Sequence, residues 1–153
     1  MLGGLGVDYR IRKQLPHDRP DWVDERQTLF VTFCHKRRGL NHFNSPDAWA
    51  ALVQAADHLH VRGKWTPVLF LAMPDHVHAL VRIPRSHTIA RVIGDFKRAV
   101  SYAFPTEWQA DAFDHRLRGQ SQFLEKRKYI LQNPVRALLV SRPEDWPYVK
   151  SWE

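Results

Sequence analysis

Val68 to Ile83 reads VLFLAMPDHVHALVRI, two apolar runs separated by Met73-Pro74-Asp75. The pattern predicts two strands joined by a tight turn. The second run alternates, with His76, His78, Leu80 and Arg82 on one side and Val77, Ala79, Val81 and Ile83 on the other. Residues i and i+2 of a strand share a face about 7 Å apart. Two imidazoles are thereby brought close enough to share one divalent ion, with an apolar back face against the core.

Working outward, Thr28 to Phe33 (TLFVTF) is β-branched and aromatic and predicts a strand, followed by the basic loop His35-Lys36-Arg37-Arg38-Gly39. Ser45 and Pro46 open a helix on which Trp49, Leu52, Val53, Ala56 and Leu59 keep helical spacing, and Gly63 ends it. Ser86 or Thr88 caps a second helix, with Ile89, Val92, Ile93, Phe96 and Val100 inside and Pro105 as its stop. Ala112 to Leu117 predicts a further strand with Gly119 as the break, and Gln120 to Gln132 a third helix. Asn133-Pro134 reads as the cap and first position of a short fourth helix to Val140. The RPEDWPYVKSW tail is expected to pack across the surface. The order β, α, β, β, α, β, α predicts an α+β fold, a ferredoxin-like sandwich with a mostly antiparallel sheet and helices on its faces.

The chain has 153 residues, 44% of them hydrophobic and six of them Trp, which predicts one folded domain and excludes wholesale disorder. We assign that domain to residues 27–153 and read 1–26, with Gly3, Gly4, Gly6, Pro16 and Pro20 among Arg10, Arg12, Lys13 and Arg19, as a basic irregular arm. Lys and Arg outnumber Asp and Glu by 23 to 16, a net charge of +7 that favours a polyanionic partner, nucleic acid first. Cys34 is the single cysteine, which excludes an intrachain disulfide and a four-cysteine zinc site. A cytoplasmic location is expected, since no signal peptide or membrane span is visible.

The third predicted helix carries a candidate nucleophile. With Tyr129 at the origin of a wheel of 100° per residue, Gln122, Asn133 and Lys126 fall within about 60° of it. Leu124, Leu131, Ile130 and Phe123 centre about 160° away, so Tyr129 is expected to be presented rather than buried. A tyrosine hydroxyl, with a pKa of about 10, attacks a phosphodiester only where a metal ion polarises the phosphate and its proton is removed. Two strand histidines and an amide oxygen from the tyrosine's own helix would hold such an ion. Asn133 and Gln122 are the available amides, and Glu125 is a harder alternative.

These residues carry a resemblance. His76-Val77-His78 within MPDHVHALV resembles the HUH motif (His, bulky apolar, His) of the single-strand tyrosine transposases. Tyr129 to Ala137 (YILQNPVRA) is similar to the corresponding segment of the REP-associated tyrosine transposases, members of the transposase IS200-like group. Phe96-Lys97-Arg98 and Phe113 to Arg118 also resemble family patches, and the match runs in order from about Thr28 to Trp146. Asp75 stands where Asn is common and Leu138 replaces a usual small residue, while the N-terminal arm matches less well.

The resemblance implies an HUH nuclease domain that binds palindromic, REP-like hairpins and cleaves and rejoins single-stranded DNA. Tyr129 would form a 5′-phosphotyrosine and leave a free 3′-hydroxyl. His76 and His78 would hold Mg²⁺ or Mn²⁺, with Asn133 as third ligand. Lys97, Arg98, Arg116, Arg118, Lys126 and Arg136 would meet DNA phosphates, making binding fall with salt. Relatives that transpose whole elements exchange tyrosine helices across a dimer, whereas the REP-associated branch is expected to act as a monomer, so monomer and homodimer both stay open. Two other classes compete with this reading. One is a catalytically idle, domesticated hairpin-binding protein of the same fold. The other is a metal-dependent hydrolase using water, for which the chain lacks an HxHxDH set.

Overall fold

The computed structural model describes residues 27–152, so the basic arm read into residues 1–26 lies outside the described residues. Five strands form one antiparallel sheet in the order β4-β1-β3-β2-β5: β1 (Leu29–Cys34), β2 (Thr66–Ala72), β3 (His76–Arg82), β4 (Phe113–Arg116) and β5 (Val149–Ser151). Three helices accompany it, α1 (Pro46–Val61), α2 (Ile89–Ala103) and α3 (Gly119–Arg136). The first four strands with α1 and α2 give the ferredoxin-like βαββαβ unit. No helix among the described residues is long and apolar enough to cross a membrane.

The caps fall where the sequence puts them. Ser45 Oγ accepts from the Ala48 amide at 3.2 Å, and Thr88 Oγ1 accepts from the Arg91 amide at 3.2 Å. Strand alternation then divides the core. Val31, Phe33, Phe70, Ala72, Val77, Ala79 and Val81 pack beneath α1 and α2. Phe30, Leu69, Leu71 and Leu80 face the other way, against Leu117, Trp146 and Ile130 of α3. A register shift between Pro67 and Leu69 leaves Val68 as an extra residue in β2 beside Val81 and Leu80 of β3.

Two expectations change here. Pro134 does not start a fourth helix; it lies inside α3, which runs unbroken to Arg136. Its position in the last turn confines the loss to one backbone hydrogen bond, and its ring is buried against the core. The helix then ends on Leu138, whose φ of 62° is the left-handed value usual for glycine. The tail also does more than cover the surface. Trp146 Nε1 donates to the Ala72 carbonyl at 2.9 Å, and Val149–Ser151 pairs with Leu69–Leu71, covering the edge of β2.

Candidate active site

Thr32 of β1 lies directly opposite His78 of β3, and Cys34 opposite His76. The two imidazoles therefore stand on the α3 face, at the end of β3 that leaves the Pro74–Asp75 turn. Their ring centroids are 4.7 Å apart with planes at 73°. Each has a partner on Nδ1. His76 Nδ1 lies 2.7 Å from Asp75 Oδ1, and His78 Nδ1 lies 3.0 Å from Thr32 Oγ1. With Nδ1 as the donor in both, each Nε2 keeps a free lone pair, the arrangement a histidine ligand requires.

The electrostatics agree with that state. His78 is fully buried, and burial first, then the charges of His76, Lys126, Arg136 and Arg38, push its pKa well below the ordinary histidine value. It is neutral at pH 7. Asp75 is shifted downward as well, for a different reason: the hydrogen bond from His76 and those from Arg38 and Gly39 hold its carboxyl far below the usual range. The carboxylate is ionised beside His76.

Tyr129 faces this pair within the same chain. Its ring centroid is 6.1 Å from that of His78 and 6.4 Å from that of Phe30. It is partly buried, at the rim of the packed face of α3 rather than opposite to it. The helix turns Ile130 and Pro134 inward and leaves Leu124 53% exposed, so the sheet-facing side is rotated toward Tyr129 from the face the leucines predicted. Two cations flank the ring. The Arg136 guanidinium sits 4.3 Å from its centroid and Lys126 Nζ 5.0 Å, and Arg136 also donates to the Tyr129 carbonyl at 2.8 Å.

Among the amides, Gln122 is already used, its Oε1 accepting from the Arg118 amide at the start of α3 at 2.7 Å. Asn133 is not a cap. It sits inside α3 one turn after Tyr129, is partly buried, and has no side-chain hydrogen bond among the described residues. Glu125 is exposed, and no three His, Cys, Asp or Glu side chains converge on a metal site among the described residues. The two Nε2 atoms are thus the donor pair a divalent ion would use here, and of the two amides Asn133 is the one left uncommitted among the described residues.

The basic residues separate. Lys126 and Arg136 stand over Tyr129. Arg118 is exposed at the start of α3. Arg116 lies opposite Leu29, on the α1 and α2 face, with its Nε buried and unpartnered. Lys97 and Arg98 belong to α2 on that same face. Lys97 Nζ donates to the Gln109 carbonyl at 3.0 Å, with its pKa lowered mainly by burial, and Arg98 pairs with Asp95 at 2.5 Å. Lys97 ties α2 to the Gln109 carbonyl, Arg98 makes an exposed pair within its own helix, and neither is brought to Tyr129. Thr32 and Arg38 escaped the sequence reading, because their roles depend on strand pairing and loop return.

A five-stranded antiparallel sheet with an HxH pair facing a helical tyrosine defines a ferredoxin-like fold of the HUH type. The family model for IS200-like transposases matches residues 30–132, more than half of the chain, and the protein belongs to that family. Among solved structures, the chain is similar to a REP-associated tyrosine transposase bound to a REP hairpin (18% identity, TM-score 0.72, 86% of this chain and 81% of that one). It is also similar to a candidate transposase from Deinococcus radiodurans R1 (14% identity, TM-score 0.51, 74% of this chain and 94% of that one). No curated protein matches the sequence.

Proposed function

We propose that this transposase is a metal-dependent endonuclease that binds palindromic hairpins and cleaves and rejoins single-stranded DNA through Tyr129. The observation that carries the reading is the placement of Tyr129 6.1 Å, ring to ring, from His78 in one chain. In the proposed step Tyr129 Oη attacks phosphorus and the bond to the 3′-oxygen breaks. The tyrosine proton passes to solvent, and the leaving 3′-oxygen takes one proton back from solvent to become the free hydroxyl. The phosphodiester's energy is kept in the 5′-phosphotyrosine, so attack by a 3′-hydroxyl rejoins DNA without a nucleotide cofactor.

His76, His78 and Asn133 would hold Mg²⁺ or Mn²⁺, with Mn²⁺ favoured by two imidazole nitrogens. The bound ion would polarise the scissile phosphate and neutralise its charge. Lys126 and Arg136 would draw the phosphate to the tyrosine, and Arg118 would follow the strand beyond. The REP hairpin held by the structurally similar transposase supports a hairpin as the DNA form.

The test is a cleavage assay on hairpin DNA labelled at either end, with Mg²⁺, Mn²⁺ or EDTA. The expected result is a metal-dependent protein adduct on the 5′ side of the break and a free 3′-hydroxyl on the other. Tight hairpin binding with no adduct in either metal would replace this reading with that of a binding protein.

A further inference from the structure

The end of α3 fixes the point from which one side chain departs. Leu138 takes a φ of 62°, its amide donates to the Val135 carbonyl at 3.0 Å, and the Leu139 amide donates to the Pro134 carbonyl at 2.9 Å. These are the paired bonds of a Schellman closure, which holds the last helical turn in one geometry. Pro134 anchors the same turn in the core. Arg136, the last residue of the helix, therefore leaves from a rigid turn.

Arg136 follows Tyr129 by 7 positions, about two turns or about 10 Å along nearly the same stripe of the helix. Side chains on a helix lean toward its N-terminus, so Arg136 reaches back along that stripe. One guanidinium then makes two contacts with one residue. Its Nη2 donates to the Tyr129 carbonyl at 2.8 Å, and its central carbon lies 4.3 Å from the centre of the Tyr129 ring. The bond to the backbone fixes where the guanidinium lies, and the guanidinium covers the ring. Lys126 is placed differently, with Nζ 4.5 Å from the centre of the Phe30 ring and 5.0 Å from that of Tyr129.

Tyr129 sits partly buried at the rim of the packed face, with Phe30 edge-on at 6.4 Å. A helical tyrosine has two favoured χ1 wells, and moving between them swings the hydroxyl by several ångströms. We propose that Arg136 is a positioning residue for Tyr129: tethered to the tyrosine's own carbonyl, its guanidinium holds the ring in the well that faces the histidine pair. This rests on Tyr129 as the nucleophile proposed above, and it gives Arg136 a role that its charge alone does not fill. The remaining N–H groups of the guanidinium stay available to a phosphate.

The test compares Arg136→Lys, which keeps the charge but loses the planar face and the fork of donors, with Arg136→Gln, which loses the charge as well. In the full chain without DNA, ¹³C relaxation of the tyrosine rings should show the Tyr129 ring ordered in the wild type and more mobile in both variants. With saturating hairpin DNA and Mn²⁺, the rate of adduct formation in Arg136→Lys should fall by up to about 100-fold, more than its hairpin affinity falls. Arg136→Gln should lose affinity further. Wild-type ring order in both variants, or a saturated rate in Arg136→Lys equal to that of the wild type, would overturn the proposal and leave Arg136 as a phosphate contact. An adduct that still forms in Tyr129→Phe would instead overturn the nucleophile beneath it, a result that leaves the ring measurement untouched. Thermal melts of both Arg136 variants separate these outcomes from misfolding.

Discussion

On one face of the sheet, Phe33, Phe70 and Trp65 close around Phe96 of α2 at centroid distances of 4.8, 5.6 and 5.1 Å. On the other, β3 gives equal burial to His78, whose hydroxyl partner comes from the neighbouring strand. The same alternation of one strand supplies both. Val77 and Ala79 go to the aromatic side, His76 and His78 to the polar side. The aromatic cluster gains stability mainly from dispersion and excluded water, and its one indole N–H, that of Trp65, donates to the Ala56 carbonyl at 3.0 Å. The other face keeps polar groups buried under α3 and has to satisfy them individually through Thr32, Asp75 and Arg38. One sheet thus separates the residues that hold the fold from those available for chemistry.

Substitutions on the two faces should separate in the same way. Tyr129 and the histidine pair meet within one chain, so an equal mixture of Tyr129→Phe with the His76→Ala/His78→Ala variant should form no adduct. Loss of about 10³-fold or more is expected in each variant and in the mixture, read on a denaturing gel. Recovery in the mixture would mean that the site is completed between chains. Phe96→Ala, on the aromatic face, should instead lower stability by about 3–5 kcal/mol in urea unfolding. Tyr129→Phe should lie within about 0.5 kcal/mol of wild type by the same method, since its hydroxyl has no hydrogen bond among the described residues.

Acid should strike the site face first. The folded-state pKa of His78 lies below the unfolded value of about 6.5, so the unfolded chain binds the extra proton. Stability is present above about pH 6.5 and is lost as pH falls from there toward the folded value. His42, lowered by burial and by His35, acts with the same sign. Asp75 extends the loss below about pH 4, where its unfolded form takes up a proton. Urea unfolding from pH 7.5 to 5 should show the decline, and His78→Leu should flatten it. The smallest effect belongs to the end of α3. Leu138 is 91% exposed at a φ of 62°, and Leu138→Gly should raise stability by about 1 kcal/mol, read as a higher melting temperature.

The contrast between faces was legible in the sequence because it is local. Period-two alternation through His76 to Ile83 places the histidines, and the Ser45 and Thr88 caps mark helix starts within four residues of themselves. What escaped depends on distant pairing. Thr32 meets His78 across 46 positions, and Arg38 reaches Asp75 across 37. The three residues of β5 carry too little pattern to be seen without the β2 edge they cover. Asn133-Pro134 has the signature of a helix start, and tertiary packing of Pro134 inside α3 overrides it. Lys97 and Arg98 adjoin the second helix's core residues in sequence, which does not say on which face of the sheet that helix lands.

Mass mapping of the covalent product tests the central claim most directly. After reaction with hairpin DNA in Mn²⁺, nuclease and protease digestion should leave a nucleotide joined through its 5′-phosphate to the peptide bearing Tyr129, and none in Tyr129→Phe. A nucleotide on another residue, or strand cleavage that survives Tyr129→Phe, would contradict the account.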